Sequence, residues 1–600
     1  MTVESLITQH IDTWTSAVKT KSTTGRGSSK KLELYGVKKL RELILELAVR
    51  GKLVPQEPND EPASVLLERI AAEKAQLVKE KKIKKPKKLL EISEEEKCFA
   101  LPVGWECAHL QDLTTYIQRG KGPKYAESGS VKVVSQKCVQ NSGFDLAPAR
   151  YVTDESLDAY QEERFLRDND ILWNSTGTGT VGRANVINDI PYQKIVADSH
   201  VTVIRLTNVY SRFLWCFIMA PGVQSRISPD NENALVSGST KQVELNTSSV
   251  ISLVVPVAPL AEQHRIVAKV DELMALCDQL EKQTEASIEA HQLLVSTLLN
   301  TLTHSADADE LMENWARISE HFDTLFTTEE SIEQLKQTIL QLAVMGKLVP
   351  QDPNDEPASV LLERIAEEKA QLIKEKKIKK QKALPPIADD EKPFDLPKGW
   401  EWFKVGNVCN LKGGFAFKSK EFLDEGSSQV IRMGNIRPDN LRLYESPVFI
   451  SDSTSALTKE YQLSSGEILL TMTGTKGKRD YLYSLLVRDE DVVKKDLYLN
   501  QRLCCLQPIC ISPLFINMAI KADSLLDTIY KKSTGTANQA NIGMEAIKNW
   551  VLPIPPLDEQ IRVVAKVEQL TEICDQLKAR LKESQTTQLH LTDAIVEQAV

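Results

Sequence analysis

The chain has 600 residues, 42% hydrophobic and 26% charged, with a formal net charge of −9. That is ample apolar material for several buried cores, and the acidic balance excludes a general nucleic-acid binder. Ten cysteines lie scattered without a CxxC pair or a zinc-spaced His/Cys cluster, and no apolar run approaches the roughly 18 residues of a membrane span. With no signal-peptide layout in MTVESLITQHIDTW, these features describe a reduced, cytoplasmic protein.

In chain order, residues 1–50 read as helix interrupted at Lys19–Lys31 by a stretch with the composition of a flexible linker. Leu40, Leu43, Ile44 and Leu47 form an apolar stripe, and Gly51 stands where a helix C′ glycine belongs. Gly51–Lys85 then returns almost letter for letter at Gly346–Lys380, 295 positions on, differing at only three of 35 places. Such spacing is far beyond a solenoid period and marks two halves built on one plan. Inside each copy, Asp60 or Glu61 is placed to cap a helix with Pro62 in its first turn, lined by Leu66, Ile70 and Leu77 and stopped by Pro86. Its lysine-rich end, Lys79 to Lys88, suits a solvated helix terminus favoured by the helix dipole, with phosphate or partner contact as the other reading.

Leu101-Pro-Val-Gly-Trp105 opens a first globular segment and Leu396-Pro-Lys-Gly-Trp400 a second, again 295 residues apart. Each closes on a proline-punctuated strand, at Ile251–Leu260 and Asn549–Leu557. Between these frames the two sequences diverge. Phe99–Pro256 holds 14 basic and 16 acidic residues and Phe394–Pro553 holds 20 and 18, so the two segments sum to zero and the negative excess lies elsewhere. After each segment, Pro259-Leu-Ala-Glu-Gln263 and Pro556-Leu-Asp-Glu-Gln560 begin long helices. Ile266, Val270, Leu273, Cys277 and Leu280 match Val563, Val567, Leu570, Cys574 and Leu577 at alternating steps of four and three. That 3.5-residue period is a coiled-coil seam, about 60 Å long in the first copy. The parts are therefore 1–98, helical arm and first repeated element; 99–256, first globular domain; 257–393, central seam helix and second repeated element; 394–553, second globular domain; and 554–600, C-terminal seam helix.

Gly177-Thr-Gly-Thr-Val-Gly182 fits a dinucleotide fingerprint, but Arg183–Pro191 after it reads as strand and turn rather than the required helix. No other catalytic motif stands out, and His200 and His264 read as structural or surface residues. What recurs is a set of polar, glycine-bearing loops. In the first domain they carry Arg119, Lys121 and Lys124; Asn174, Thr176, Thr178 and Arg183; and Thr240, Lys241 and Gln242. In the second they carry Lys412 and Lys418; Arg432, Asn435 and Arg437; Thr473, Thr475, Lys476, Lys478 and Arg479; and Lys531, Lys532, Thr534, Asn538 and Gln539. Lysine, serine and threonine hold phosphates, arginine reads guanine, and asparagine or glutamine reads adenine, so these loops suit double-stranded DNA. A coiled-coil scaffold without nucleic-acid binding is the rival reading, and a nucleotide-dependent enzyme the third.

With its paired LPxGW starts, its loops at Thr176–Arg183 and Thr473–Arg479, its PLxEQ helix starts and its AVxGKLVP elements at Ala48–Pro55 and Ala343–Pro350, the chain resembles the specificity subunit of type I restriction–modification systems. The resemblance implies an α+β fold of two pseudo-repeated halves, each a mixed, β-rich α/β target-recognition domain, with long helices that pair as an antiparallel coiled coil. It implies a non-catalytic subunit reading an asymmetric, bipartite site, docked to two methyltransferase subunits and to restriction/translocase subunits. It also implies no cofactor in this chain, with S-adenosylmethionine, ATP and magnesium held by partners. The helical arm before the first domain departs from the family pattern. The expectation is that it completes the C-terminal seam helix, which stops at Ala599-Val600.

Overall fold

The computed structural model describes residues 3–22, 30–96, 99–158, 160–177, 179–239, 242–438, 440–493, 495–535 and 538–600. Six helices form the frame: α1 (Tyr35–Val49), α2 (Ala63–Lys79), α3 (Leu260–His304), α4 (Glu329–Val344), α5 (Ala358–Lys374) and α6 (Leu557–Ala599). Two compact units result, residues 1–287 with 584–600 and residues 288–583. Helix α3 thus gives its start to the first unit and its end to the second, and α6 does the reverse. Of the predicted seam residues, Ile266, Val270, Leu273, Cys277 and Leu280 on α3 and Val563, Val567 and Cys574 on α6 are buried, whereas Leu570 and Leu577 are half-buried.

In the first unit the stripe of α1 is buried at Leu40, Leu43, Ile44 and Leu47. Tyr35 donates to Asp593 at 2.7 Å, and Lys52 donates to the carbonyl of Val600 at 2.5 Å, so the last turns of α6 lie on α1. The second unit repeats this with Lys347, which donates to the carbonyls of Thr303 and Ser305 at the end of α3. The lysine of each GKLVP element thereby meets the negative end of a helix dipole. Arg41 ion-pairs with Asp278 and Glu281, as Lys336 does with Asp575. The amino-terminal arm is tied to α3 by Glu4–Lys269. Its expected linker at 19–31 is different in kind: Lys19–Ser22 pairs antiparallel with Lys30–Glu33, while residues 23–29 lie outside the described ones.

Two local expectations change. Pro62, not Asp60 or Glu61, is the N-cap of α2, and Asp60 instead pairs with Arg265 at 2.6 Å. The helix ends at Lys79, seven residues before Pro86, because Lys81 adopts φ 58° and closes the last turn through Lys81 N to Val78 O and Lys82 N to Leu77 O. On the buried face of α2, Lys74 joins Leu66 and Ile70 and donates to the carbonyl of Asp112 at 3.0 Å.

The repeated motifs meet at one knot in each unit. The indole N–H of Trp105 donates to Glu262 at 3.0 Å and Gln56 donates to the other carboxylate oxygen at 2.7 Å. Trp400, Glu559 and Gln351 repeat this at 3.0 and 3.2 Å. Burial pushes both carboxyls above their ordinary range. The next residue, Gln263, accepts from Tyr210 N and donates to Ala258 O; Gln560 does the same with Ser512 N and Pro555 O. At Gly51 (φ 64°) a Cβ would lie 2.6 Å from Pro102 and 2.9 Å from Trp105, so the glycine is required both for conformation and for space. Helix end, domain start and seam-helix start are therefore one junction.

Each globular domain opens and closes on a single two-stranded pair, Glu106–His109 with Val254–Val257 and Glu401–Lys404 with Val551–Ile554. Within, the first has a four-stranded sheet in the order Ala184–Val186, Ile171–Asn174, Val201–Leu206, Thr114–Arg119. The second has Ser484–Leu486, Ile468–Thr471, Leu503–Pro508, Cys409–Gly413. Dissimilar sequences thus share one strand order. Cys504 and Cys505 are fully buried in the strand Leu503–Pro508, as expected of strand residues.

Candidate nucleic-acid interface

The strand order brings the same loops to the same end of each sheet. In the first domain Thr114–Arg119 leads into Gly120–Lys124, and Lys121 N donates to Ala197 O. Gly120 lies so close to the carbonyls of Ala197 and Asp198 that a Cβ would stand about 2.1–2.2 Å from them. Ile171–Asn174 leads into the glycine loop, where Ser175 N donates to His200 O and Leu245 N to Ser175 O. The described parts of the predicted loops at 118–124 and 174–183 therefore converge beside the strand Gln242–Leu245, with the turn Asp198-Ser199-His200 among them. Burial raises the Asp198 carboxyl, against the His200 amide that donates to it at 2.8 Å.

The second domain repeats the arrangement. Gly414 packs on the carbonyls of Leu499 and Asn500, Asn500 N donates to Ile431 O, and Met472 N donates to Arg502 O. Thr473-Gly474 pairs with Ala540-Asn541, which in turn pairs with Thr534-Gly535. The loops at 412–418, 432–437 and 473–479 meet here with the described residues of 531–539.

The structure divides the sequence candidates into tethered and free side chains. Arg119 is held by Glu244 and the carbonyls of Ser175 and Leu245. Asn174 is fully buried and donates to Gln136 O and Val139 O, and Arg183 donates to Gln140 and Gly179 O. Thr176 bonds His200 Nδ1 at 2.6 Å. In the second domain Lys412 donates to Gln462 O, Arg432 to Ser446 O, and Arg437 to Ile436 O. Asn435 is buried and staples its own turn through Arg432 N and Arg442 O, and Thr475 bonds Asp480 twice. Arg479 sits between Asp523 and Asp527, and Lys532 pairs with Glu391. Lys124 and Lys418 are exposed beside Glu155 and Glu421, and Thr534 is exposed beside the Asn541 carbonyl. Thr473 is part-buried in its strand. Lys121, Lys476, Lys478, Lys531, Asn538 and Gln539 are exposed, and among the described residues no side-chain hydrogen bond or ion pair holds them. Thr178, Thr240 and Lys241 lie outside the described residues, as does the side chain of Gln242.

Reasoning from sequence missed two places. The turn between the parallel-paired strand and the next one carries His200 in one domain and Arg502 in the other, immediately before Val201 and Leu503. The loop Ser135-Gln136-Lys137 follows Lys132–Val134 as Arg432-Met433-Gly434 follows Ser428–Ile431, and the exposed Lys137 side chain has no partner among the described residues. Both lack a glycine-rich signature; only their strand register reveals them. The glycine fingerprint at 177–182 proves to be the connection between antiparallel strands, with Ala184–Val186 where a dinucleotide fold needs a helix. Among the described residues this end of the first domain thus offers the ammonium groups of Lys121 and Lys137 for phosphates, and that of the second adds the amides of Asn538 and Gln539 and the guanidinium of Arg502 for base edges.

A family model described as the type I restriction modification DNA specificity domain matches the chain twice, at residues 102–290 and 397–584. The EcoAI type I restriction enzyme specificity subunit of Escherichia coli is 42% identical over 617 aligned residues, covering 100% of both chains. The EcoEI counterpart, also from Escherichia coli, is 42% identical over 616, again covering 100% of both. A crystal structure of the HsdS subunit from Thermoanaerobacter tengcongensis aligns with 84% of this chain and 98% of its own, at 16% identity and a TM-score of 0.40.

Proposed function

The chain belongs to the DNA specificity subunits of type I restriction–modification systems, and from that premise we propose that its two domains read the two different halves of one asymmetric DNA site. Catalysis in such systems lies in partner subunits, and this chain supplies recognition. The observation that carries the reading is one strand order presenting two different loop sets. Symmetric dimers read palindromes because both halves carry the same contacts; one frame with different contents reads different half-sites. Lys121, with Lys476, Lys478 and Lys531, holds phosphates, and Asn538 and Gln539 contact base edges.

Two copies of a methyltransferase subunit dock on the repeated frame. Exposed apolar residues recur at equivalent positions, Val65, Leu276 and Leu591 in one unit and Val360, Ile573 and Leu294 in the other, which supports two equal docking faces. Restriction/translocase subunits join that complex. S-adenosylmethionine belongs to the methyltransferase, and ATP with magnesium to the restriction subunits, all in the cytoplasm. Among the described residues no helix is long and apolar enough to cross a membrane. The test replaces residues 101–256 with the matching domain of another specificity subunit and maps methylated sites in cells. One half-site should change and the other persist; a change in both, or in neither, refutes the reading.

A further inference from the structure

Six arginines lie between residues 432 and 502 of the second domain, and five are tied within the chain. Arg432 and Arg437 donate to carbonyls, Arg442 and Arg488 pair with Glu445 and Glu490, and Arg479 is held by Asp523 and Asp527. Arg502 is exposed and, among the described residues, makes no side-chain hydrogen bond, ion pair or ring contact. Its backbone is nonetheless fixed: its carbonyl accepts from Met472 N at 3.2 Å, and Leu503 N closes a turn onto Asn500 O at 3.0 Å. The backbone position is thus fixed while the guanidinium stays available to a ligand, its side chain ordering on binding.

Arg502 lines a cleft of about 680 Å³ with Ser419, Arg432, Asn435, Glu445 and Asn500. The wall therefore mixes guanidinium, amide and carboxylate groups. Glu445 accepts from Arg442 through Oε2 and keeps Oε1 to accept the amino hydrogens of a base, a group a phosphate does not need, so the composition fits a base edge. We propose that this cleft is the base-reading groove of the second domain and that Arg502 donates paired hydrogen bonds to a guanine there. The proposal rests on the half-site reading above. In the first domain the equivalent position is His200, already engaged by Thr176, so this groove distinguishes the two half-sites.

The test uses the complete complex with its partner subunits and compares modification at every single-base variant of the target site for wild type, Arg502→Ala and Arg502→Lys. Both variants should lose discrimination about ten- to hundred-fold at one G·C pair of the second half-site, with the first half-site unchanged. Lysine keeps the charge but loses the paired geometry, so full discrimination by Arg502→Lys overturns the proposal. Unchanged discrimination in both variants overturns it too, as does equal loss at every position, which would mark a phosphate anchor. If wild type itself shows no two-part site, it is the half-site reading that fails.

Discussion

Replacing Glu262 by glutamine tests whether the junction of helix end, domain start and seam-helix start is held by one carboxylate. The carboxylate accepts from Trp105 at 3.0 Å and from Gln56 at 2.7 Å, and it is 1% exposed. A glutamine side chain has one acceptor oxygen, so one of the two donors would face an amide NH₂. A hydrogen bond to a charged group contributes about 1.5–3 kcal/mol, and removing a buried ionised group returns part of that. The expected cost is about 1–2 kcal/mol, with about 3–4 kcal/mol for Glu262→Ala, which leaves both donors unpaired. Two compact units make a single unfolding midpoint ambiguous, so amide hydrogen exchange by peptide is the suitable assay. Exchange should accelerate about 5- to 30-fold in peptides spanning 101–109 and leave 396–404 unchanged. Glu559→Gln should do the reverse. Burial raises the Glu262 carboxyl, so the folded state binds more protons than the unfolded one in the window above the ordinary glutamate value. Stability from this site is full below that value and falls as pH rises through the raised one. The gap between wild type and Glu262→Gln should therefore narrow with rising pH. Equal acceleration in both units, or less than twofold in the matching peptides, would refute the reasoning.

Two further outcomes follow from charges the fold encloses or exposes. Arg205 is bound to the fully buried Asp170 at 2.7 and 2.8 Å, so Arg205→Ala leaves a buried carboxylate unpaired and should destabilise the first domain by about 3–5 kcal/mol, measured by urea unfolding and peptide exchange over 165–206. Lys476→Ala with Lys478→Ala should weaken DNA binding by the assembled complex at every sequence alike and flatten the log Kd against log salt line by roughly 1–2, whereas a selective loss at particular bases would contradict phosphate contact.

Local chemistry determined much of this protein. The seam helices were legible because a 3.5-residue apolar period is a property of neighbouring positions, and Ile266 and Val563 are buried as that period requires. The C′ role of Gly51 was legible because a left-handed residue is needed where a helix ends, whatever lies beyond. The repeated motifs were visible as words, and the membership they imply follows from their order along the chain. Only the tertiary structure joined those words: Trp105 and Glu262 are 157 residues apart and form one hydrogen bond. It also decided which polar side chains remain free to meet DNA. Arg119 and Arg479 carried the right chemistry, yet Glu244 and Asp523, 125 and 44 residues away, hold them. Arg502 carried no loop signature and, among the described residues, stands unpaired. A side chain's type is written locally, but its availability depends on which distant carboxylates and carbonyls the fold brings within about 3 Å, and that distance is set by packing.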